Sequence, residues 1–161
     1  MKRLLLILAF AWLAGCTSHP PLPAQLPTLA LPLQLHVQRE QAGQRQDWLL
    51  VIQQEDARLR WSLLDLLGMP QARQLLQDGT WQADGLLPPN PAARELFAAL
   101  LFALTPQSKL QRAYPTAQQQ GNQRHLGSRW SVTYGQSGSL RLNLEQGLRY
   151  LVSPLPSENT P

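Results

Sequence analysis

Cys16 is the only cysteine in the 161-residue chain, and its neighbours give its thiol a defined chemical setting. It directly follows Leu13-Ala14-Gly15, which closes an almost uninterrupted apolar run that begins after Lys2 and Arg3. A charged start, an apolar middle and small residues before a cleavage point are the layout of a secretory signal peptide. The apolar run is too short to span a bilayer, which takes about 20 apolar residues. The pattern therefore predicts a signal peptide over residues 1–15 and a mature chain that begins at Cys16.

The segment around Cys16 also resembles a bacterial lipoprotein signal with its lipobox. The resemblance implies that Cys16 is diacylated and that cleavage occurs just before it. The alternative is an ordinary secretory signal that happens to carry a cysteine. Since no other cysteine is present, one chain can form neither a disulfide nor a cysteine metal site. Packing alone must then stabilise the fold.

The other residue types that support chemistry are not spaced for catalysis or metal binding. The three histidines are far apart, and no His-Glu-x-x-His pattern occurs. Neither a Gly-x-Ser-x-Gly nucleophile elbow nor a phosphate-binding loop is present. Asp65, Asp78 and Asp84 fall at predicted turns, where aspartate commonly serves the backbone. We therefore predict a protein that is not an enzyme and that needs no cofactor and no metal.

The charge of the chain argues against nucleic acid as a partner. The formal charge is +4, and removal of Lys2 and Arg3 with the signal peptide lowers it to +2. So small an excess, without a basic run, does not build the electropositive surface that binds nucleic acid. The longest later apolar run, residues 96–104, is only about half a bilayer long when helical.

Composition divides the mature chain into a tether, one domain and a tail. Residues 16–32 carry five prolines. Proline fixes the φ torsion and removes a hydrogen-bond donor, so this segment is predicted to be an extended, lipidated tether. Residues 33–153 are long enough for one domain with a buried core. Residues 154–161 are predicted to be a flexible tail.

Alternation of apolar and polar residues predicts antiparallel strands on both sides of one helix. Asn90 suits the N-cap and Pro91 the first helical position, and residues 92–104 are strong helix formers. This helix is apolar on every face after Glu95, so we expect the sheet to cover it nearly all round. Predicted strands are 33–38, 48–54, 58–63, a hairpin over 71–83, a short strand at 110–114 and a meander over 130–152, with a polar loop at 118–122.

The stretch from Leu63 to Pro70 is an unusually apolar turn, in which Gly68 permits a positive φ and Pro70 interrupts pairing. One interpretation folds its leucines back into the core, where most large apolar residues lie. The other interpretation leaves them exposed as an apolar tip that contacts membrane or cargo.

The order of these elements resembles the LolA/LolB family, which carries lipoproteins to the bacterial outer membrane and inserts them there. The resemblance covers roughly residues 33–152 and is closest from Arg58 to Gly68, with further similarity at 130–134 and 140–144. It implies a mainly β (α+β) fold, an unclosed antiparallel β half-barrel with a buried apolar helix as lid. It also implies that Leu66, Leu67 and Met69 form a membrane-contact loop. One departure is that the family has several short lid helices in place of one long helix.

Location and partners follow from the same resemblance. Thr17 is not the aspartate that retains lipoproteins in the inner membrane of enteric bacteria, so the protein is expected on the periplasmic face of the outer membrane. The sequence is also similar to an uncharacterised group of small outer-membrane lipoproteins, often encoded near aryl-polyene pigment genes. Expected partners are the outer membrane, a lipid, polyene or lipoprotein acyl chain, and a periplasmic carrier protein. The chain itself is expected to be a monomer.

These expectations combine in a binding and transfer protein that holds an acyl or polyene chain between sheet and helix. Burial of each methylene is worth about 0.8 kcal/mol, so a long chain binds without a charged contact. The alternative is a non-catalytic structural or scaffolding envelope lipoprotein whose helix completes a filled core. The residues predicted to line the cavity are Trp48, Leu50, Trp61, Trp81, Leu96, Phe97, Leu100, Leu101 and Phe102.

Overall fold

A computed structural model describes residues 19–156, which form ten strands and two helices. The signal segment, Cys16, Thr17 and residues 157–161 lie outside the described residues, and the predictions about them stay predictions. The strands are β1 Leu33–Gln41, β2 Gln44–Glu55, β3 Arg58–Asp65, β4 Pro70–Gln77, β5 Thr80–Ala83, β6 Ala117–Gln120, β7 Gln123–Leu126, β8 Trp130–Tyr134, β9 Leu140–Leu144 and β10 Arg149–Pro154. The helices are α1 Pro91–Leu104 and α2 Gln107–Ala113.

The ten strands form one antiparallel sheet in the order β5-β4-β3-β2-β1-β10-β9-β8-β7-β6. Two meanders, β1 to β5 and β6 to β10, join where β1 pairs with β10. The edge strands β5 and β6 do not pair with each other, so the sheet is open. The expected fold class is therefore confirmed as mainly β with an unclosed antiparallel sheet.

The helix α1 begins and ends where the sequence predicts. The side chain of Asn90 accepts a hydrogen bond from Ala93 N at 3.0 Å, and Pro91 occupies the first turn, where its missing N–H costs nothing. At the other end, Thr105 leaves helical geometry just before Pro106. Between these limits, residues 96–103 are all buried, which confirms that α1 is covered on every face.

The sheet curves around α1. Phe97 of α1 lies 5.3 Å, between ring centroids, from Trp61 of β3. Two residues earlier, the carboxylate of Glu95 accepts a hydrogen bond from Trp130 Nε1 of β8 at 2.7 Å. Five strand spacings separate β3 from β8, which is about 24 Å in a flat sheet and twice the diameter of a helix. One turn of α1 can touch both strands only if the sheet bends towards it from two sides.

Two local predictions were wrong. Residues 110–114 do not form a strand, because Gln107–Ala113 is the helix α2, with Leu110 and Ala113 facing the core. Residues 118–122 are not a loop, since they belong to the hairpin of β6 and β7, whose turn is Gly121-Asn122. The strands predicted for the first meander and the three strands predicted for residues 130–152 are present, each within a few residues of its expected limits.

The described part of the proline-rich segment, residues 19–32, lies against the domain. Pro23 and Pro27 are buried, and Ala24 N donates a hydrogen bond to Ala113 O of α2 at 3.2 Å. Three leucines of the segment pack against the core, namely Leu22, Leu29 and Leu31. Over these residues the predicted tether is a strap that packs on α2 and the core before the chain enters β1.

Candidate functional site

The loop between β3 and β4 is braced by the carboxylate of Asp65. Asp65 Oδ1 accepts hydrogen bonds from Leu67 N and Met69 N, each at 2.9 Å, and Asp65 Oδ2 accepts one from Gln71 Nε2 at 3.2 Å. The backbone of Asp65 closes the loop through bonds with Met69 O and Gly68 N. Gly68 has a φ of +80°, which a side chain would strain. The polar groups of the loop thus turn inward onto one another.

The apolar side chains of the same loop point into solvent. The exposed fractions are 73% for Leu66, 90% for Leu67 and 60% for Met69. The interpretation in which these residues fold back into the core is therefore wrong, although Leu63 of the same stretch is buried. A braced turn that presents leucine and methionine to water is a candidate contact surface, since exposed apolar patches mark interaction sites.

The nine residues predicted to line a cavity lie together around α1, but they fill the space between helix and sheet. Seven of them have no exposed surface, and Trp48 and Trp81 are partly buried at the margin of the core. The ring centroids of Trp61, Trp81 and Phe97 lie between 5.3 and 5.8 Å apart, which is direct aromatic contact. Five depressions on the surface of the described residues are lined by residues other than these nine.

Two indole groups in this cluster have no hydrogen-bond acceptor among the described residues. They are Trp61 Nε1 and Trp81 Nε1, both with less than 1 Å² of exposed surface. A buried donor without an acceptor costs about 1–3 kcal/mol, and the large majority of buried polar atoms are paired. Trp81 stands on β5, the unpaired edge of the sheet, so the two donors lie beside the place where the sheet is open.

The opposite end of α1 is held by a buried arginine that the sequence did not single out. Arg124 Nη1 of β7 donates to Phe102 O and Thr105 O, each at 2.8 Å, and to Ala103 O at 3.3 Å. Burial lowers the pKa of Arg124, and burial also raises the pKa of the neighbouring Tyr134. The cation satisfies carbonyl groups that a helix C-terminus leaves free and complements the negative end of its dipole.

Glu95 ties the start of α1 to β8. Arg129 donates to its two carboxylate oxygens through Nε and Nη2, each at 2.7 Å, beside the bond from Trp130. The hydrogen bond to Glu95 raises the pKa of Arg129. Because Arg124 and Glu95 fix α1 at both ends to the same half of the sheet, the helix is part of the framework of the domain.

A depression of about 430 Å³ lies on the outer face, over β1 and β8 to β10. Beside it, His36 Nε2 and Gln38 Nε2 each lie 2.9 Å from Asp47 Oδ1. The hydrogen bond from Gln38, with a smaller contribution from His36, lowers the pKa of Asp47. The three side chains are thus bound to one another within the chain.

Among residues 19–156, no group of three His, Cys, Asp or Glu side chains is placed to hold a metal ion. Asp84, which the sequence places at a predicted turn, forms ion pairs with Arg60 at 2.9 Å and Arg73 at 3.3 Å. In the described part of the chain, no helix combines the length and apolarity needed to cross a membrane. A scan against protein-family models and a search of curated proteins both found no match.

Proposed function

We propose that this protein is a lipid-anchored envelope protein of the outer membrane that contacts a bilayer through residues 66–69. We further propose that it binds a hydrocarbon chain in its half-barrel, between the sheet and α1, when displacement of Trp81 opens the packed cluster there. The observation that carries the proposal is the braced loop, in which Asp65 satisfies the backbone while Leu66, Leu67 and Met69 face solvent. Apolar side chains in a fixed loop favour contact with lipid, because transfer of a leucine from water to hydrocarbon gains about 1.5–3 kcal/mol.

The position of the N-terminal segment supports a lipid anchor at the same end of the sheet as loop 66–69. Antiparallel order places the β3–β4 loop and the β7–β8 turn at the same end of the sheet. His19, the first described residue, lines a depression together with Leu126, Gly127 and Arg129 at that turn. A lipid on Cys16 would be three residues away, or about 10 Å of extended chain. The proposed anchor and the apolar loop therefore reach one bilayer together.

The aromatic cluster supports a hydrocarbon site with a polar group at one end. Trp61 and Trp81 each supply an indole N–H without an acceptor, and Phe97 supplies apolar surface beside them. An ester or carboxyl oxygen is the group that such donors bind. Because Trp81 is on the edge strand β5, its displacement opens the shortest route from solvent to this cluster.

A second function is favoured by the packing of the core. The side chains from both sides of the cluster meet in ring contact, and the α1 residues Leu96 to Ala103 are buried. A filled interior favours a structural or scaffolding envelope lipoprotein that touches the bilayer but carries nothing. Both functions require the loop and the proposed lipid anchor, but only the first requires that a hydrocarbon chain binds inside the half-barrel.

Substitution Leu67→Glu tests the bilayer contact. The chain is isolated from membranes, and movement of a fluorescent lipid from donor to acceptor vesicles is measured. We expect the variant to fold normally, since Leu67 is exposed, and to transfer lipid at least about tenfold more slowly, because a charge replaces a group that gains energy in hydrocarbon. Leu155→Glu, at the opposite end of the sheet, is the matched control and should transfer at the rate of the unsubstituted chain. If the unsubstituted chain transfers lipid and Leu67→Glu transfers it at the same rate, or if Leu67→Glu alone unfolds, the proposed contact is contradicted.

Binding of a fluorescent fatty acid separates the two functions. If the half-barrel holds a hydrocarbon chain, the ligand binds at one site per chain, and Trp81→Ala increases its association rate by removing the side chain at the open edge. Extraction of the purified protein should then yield lipid. A scaffolding protein binds no ligand in either form, and that result would overturn the hydrocarbon site while leaving the bilayer contact in place.

A further inference from the structure

Leu86 is a second fully exposed leucine on the same corner of the molecule. Its exposed fraction is 104%, and no neighbouring side chain covers it. Gly85, with a φ of +83°, turns the chain immediately before it. The sequence signal was present as Leu86-Leu87 between Gly85 and Pro88, but no periodic pattern surrounds it.

The segment that carries Leu86 runs beside the start of β4, next to the braced loop. Asp84 N donates to Arg73 O at 3.4 Å, and Asn90 Nδ2 donates to Gln71 O at 3.3 Å. Residues 84–90 therefore pass along β4 towards Pro70, where the loop 66–69 ends. Gln71 is within about 10 Å of that loop along the strand. We name the four exposed side chains Leu66, Leu67, Met69 and Leu86 the apolar corner.

The apolar corner holds four of the seven large hydrophobic residues that are exposed in residues 19–156. Its acidic groups are both engaged within the protein. Asp65 accepts bonds from the loop itself, and Asp84 is paired with Arg60 and Arg73. Neither of these two carboxylates is therefore an unpaired negative charge that would repel an anionic lipid headgroup.

We infer that Leu86 enters the same bilayer as the loop 66–69, so that the domain inserts two separate prongs. This inference rests on the proposed bilayer contact and adds a second insertion point to it. A protein partner would have to supply a matching pocket for each of these side chains, since the core of an interface is packed as densely as a protein interior. Fluid hydrocarbon, in contrast, surrounds a protruding side chain of any shape. Two prongs on two loops also fix the tilt of the domain, which one loop does not.

Site-specific fluorescence tests the second prong. The variants Leu86→Cys, Leu67→Cys and Thr80→Cys are made in the full chain, isolated from membranes and labelled with an environment-sensitive nitrobenzoxadiazole. Thr80 is the control, because it is exposed at the start of β5 and lies at the opposite end of the sheet. The unsubstituted chain, labelled in parallel, measures any reaction at Cys16. Each protein is reconstituted into vesicles of phosphatidylethanolamine and phosphatidylglycerol, with and without nitroxide-labelled acyl chains.

We expect probes at 86 and 67 to shift their emission to shorter wavelength and to be quenched by the nitroxide, while the probe at 80 does neither. Quenching at 67 without quenching at 86 would overturn the second prong and leave the proposed function standing. Absence of quenching at both positions would overturn both. Quenching at all three positions would indicate adsorption without orientation and would also overturn the inference. Unchanged tryptophan emission of each variant before reconstitution establishes that its fold is intact.

Discussion

At the scale of single residues, the least expected group is Arg124, an arginine with 3% of its surface exposed and no carboxylate partner among residues 19–156. Its guanidinium instead bonds to three carbonyl groups around the end of α1 and to Gln119 Oε1 at 3.0 and 3.2 Å. The ring of Phe102 lies 5.6 Å from it and the ring of Tyr134 lies 5.2 Å from it. Arginine suits this position because its planar fork can reach several acceptors at once.

Substitution Arg124→Met should therefore destabilise the domain by at least about 2 kcal/mol, because it leaves buried carbonyl groups without donors. Urea unfolding, followed by tryptophan fluorescence, measures the change. Arg124→Lys should lower the free energy of unfolding by less, since lysine keeps a positive charge near the helix C-terminus, although it has fewer donors.

An exposed arginine provides the control for Arg124. Arg141 of β9 is exposed, and Arg141→Met should change the free energy of unfolding by no more than about 0.5 kcal/mol. If Arg124→Met unfolds at the same urea concentration as Arg141→Met, the bonds from Arg124 contribute nothing to holding α1.

At the scale of elements, α1 could be predicted because every local signal agreed. Asn90 and Pro91 set its start, Thr105-Pro106 set its end, and its apolar residues left no polar face. That same pattern indicated that the sheet must surround it. The filled packing against Trp61 and Trp81 could not be predicted, because periodicity shows which residues face inward and not how much space they leave.

The two elements that were predicted wrongly, the β6–β7 hairpin and α2, contain few apolar residues. The hairpin of β6 and β7 buries only Ala117, Leu126 and Arg124 of its eight residues, so no alternation of apolar and polar residues marks it. It forms because β8 supplies a paired edge for β7. In α2, two buried residues three positions apart gave too short a pattern to separate a helix from a strand. Tertiary contacts decide both elements.

The candidate site, too, could be predicted only in part from the sequence. The loop 66–69 could be predicted because the apolar stretch from Leu63 to Pro70 interrupts a strand pattern, but two interpretations of it remained. The choice depended on Asp65, whose carboxylate holds the turn outward. Leu86 gave no pattern at all, since its position beside the loop follows only from how the chain returns along β4 to Asn90.

At the scale of the whole molecule, the strap of residues 19–32 determines how far the domain stands from its proposed anchor. Proline content alone predicts a spacer that reaches tens of Å at about 3 Å per residue. With the strap packed on α2, only residues 16–18 separate a lipid on Cys16 from the domain. A short connection keeps loop 66–69 close to the bilayer in which a lipid on Cys16 would sit, so the packing of the strap supports the proposed contact of the apolar corner.

The strap should contribute to stability as well as to position. Replacing Leu22, Leu29 and Leu31 together by serine removes three partly buried side chains that pack against the core. At about 1 kcal/mol for each, the loss is about 3 kcal/mol. For a chain of this size each kcal/mol lowers the Tm by about 2–4 °C, so we expect a decrease of about 6–12 °C in thermal unfolding. Leu26→Ser, in the same segment but 38% exposed, is the matched control and should leave the Tm nearly unchanged. If the triple variant has the same Tm as Leu26→Ser, residues 19–32 do not pack stably on the domain. The prolines then form the extended tether that their number predicts, and the strap does not hold the domain near the membrane.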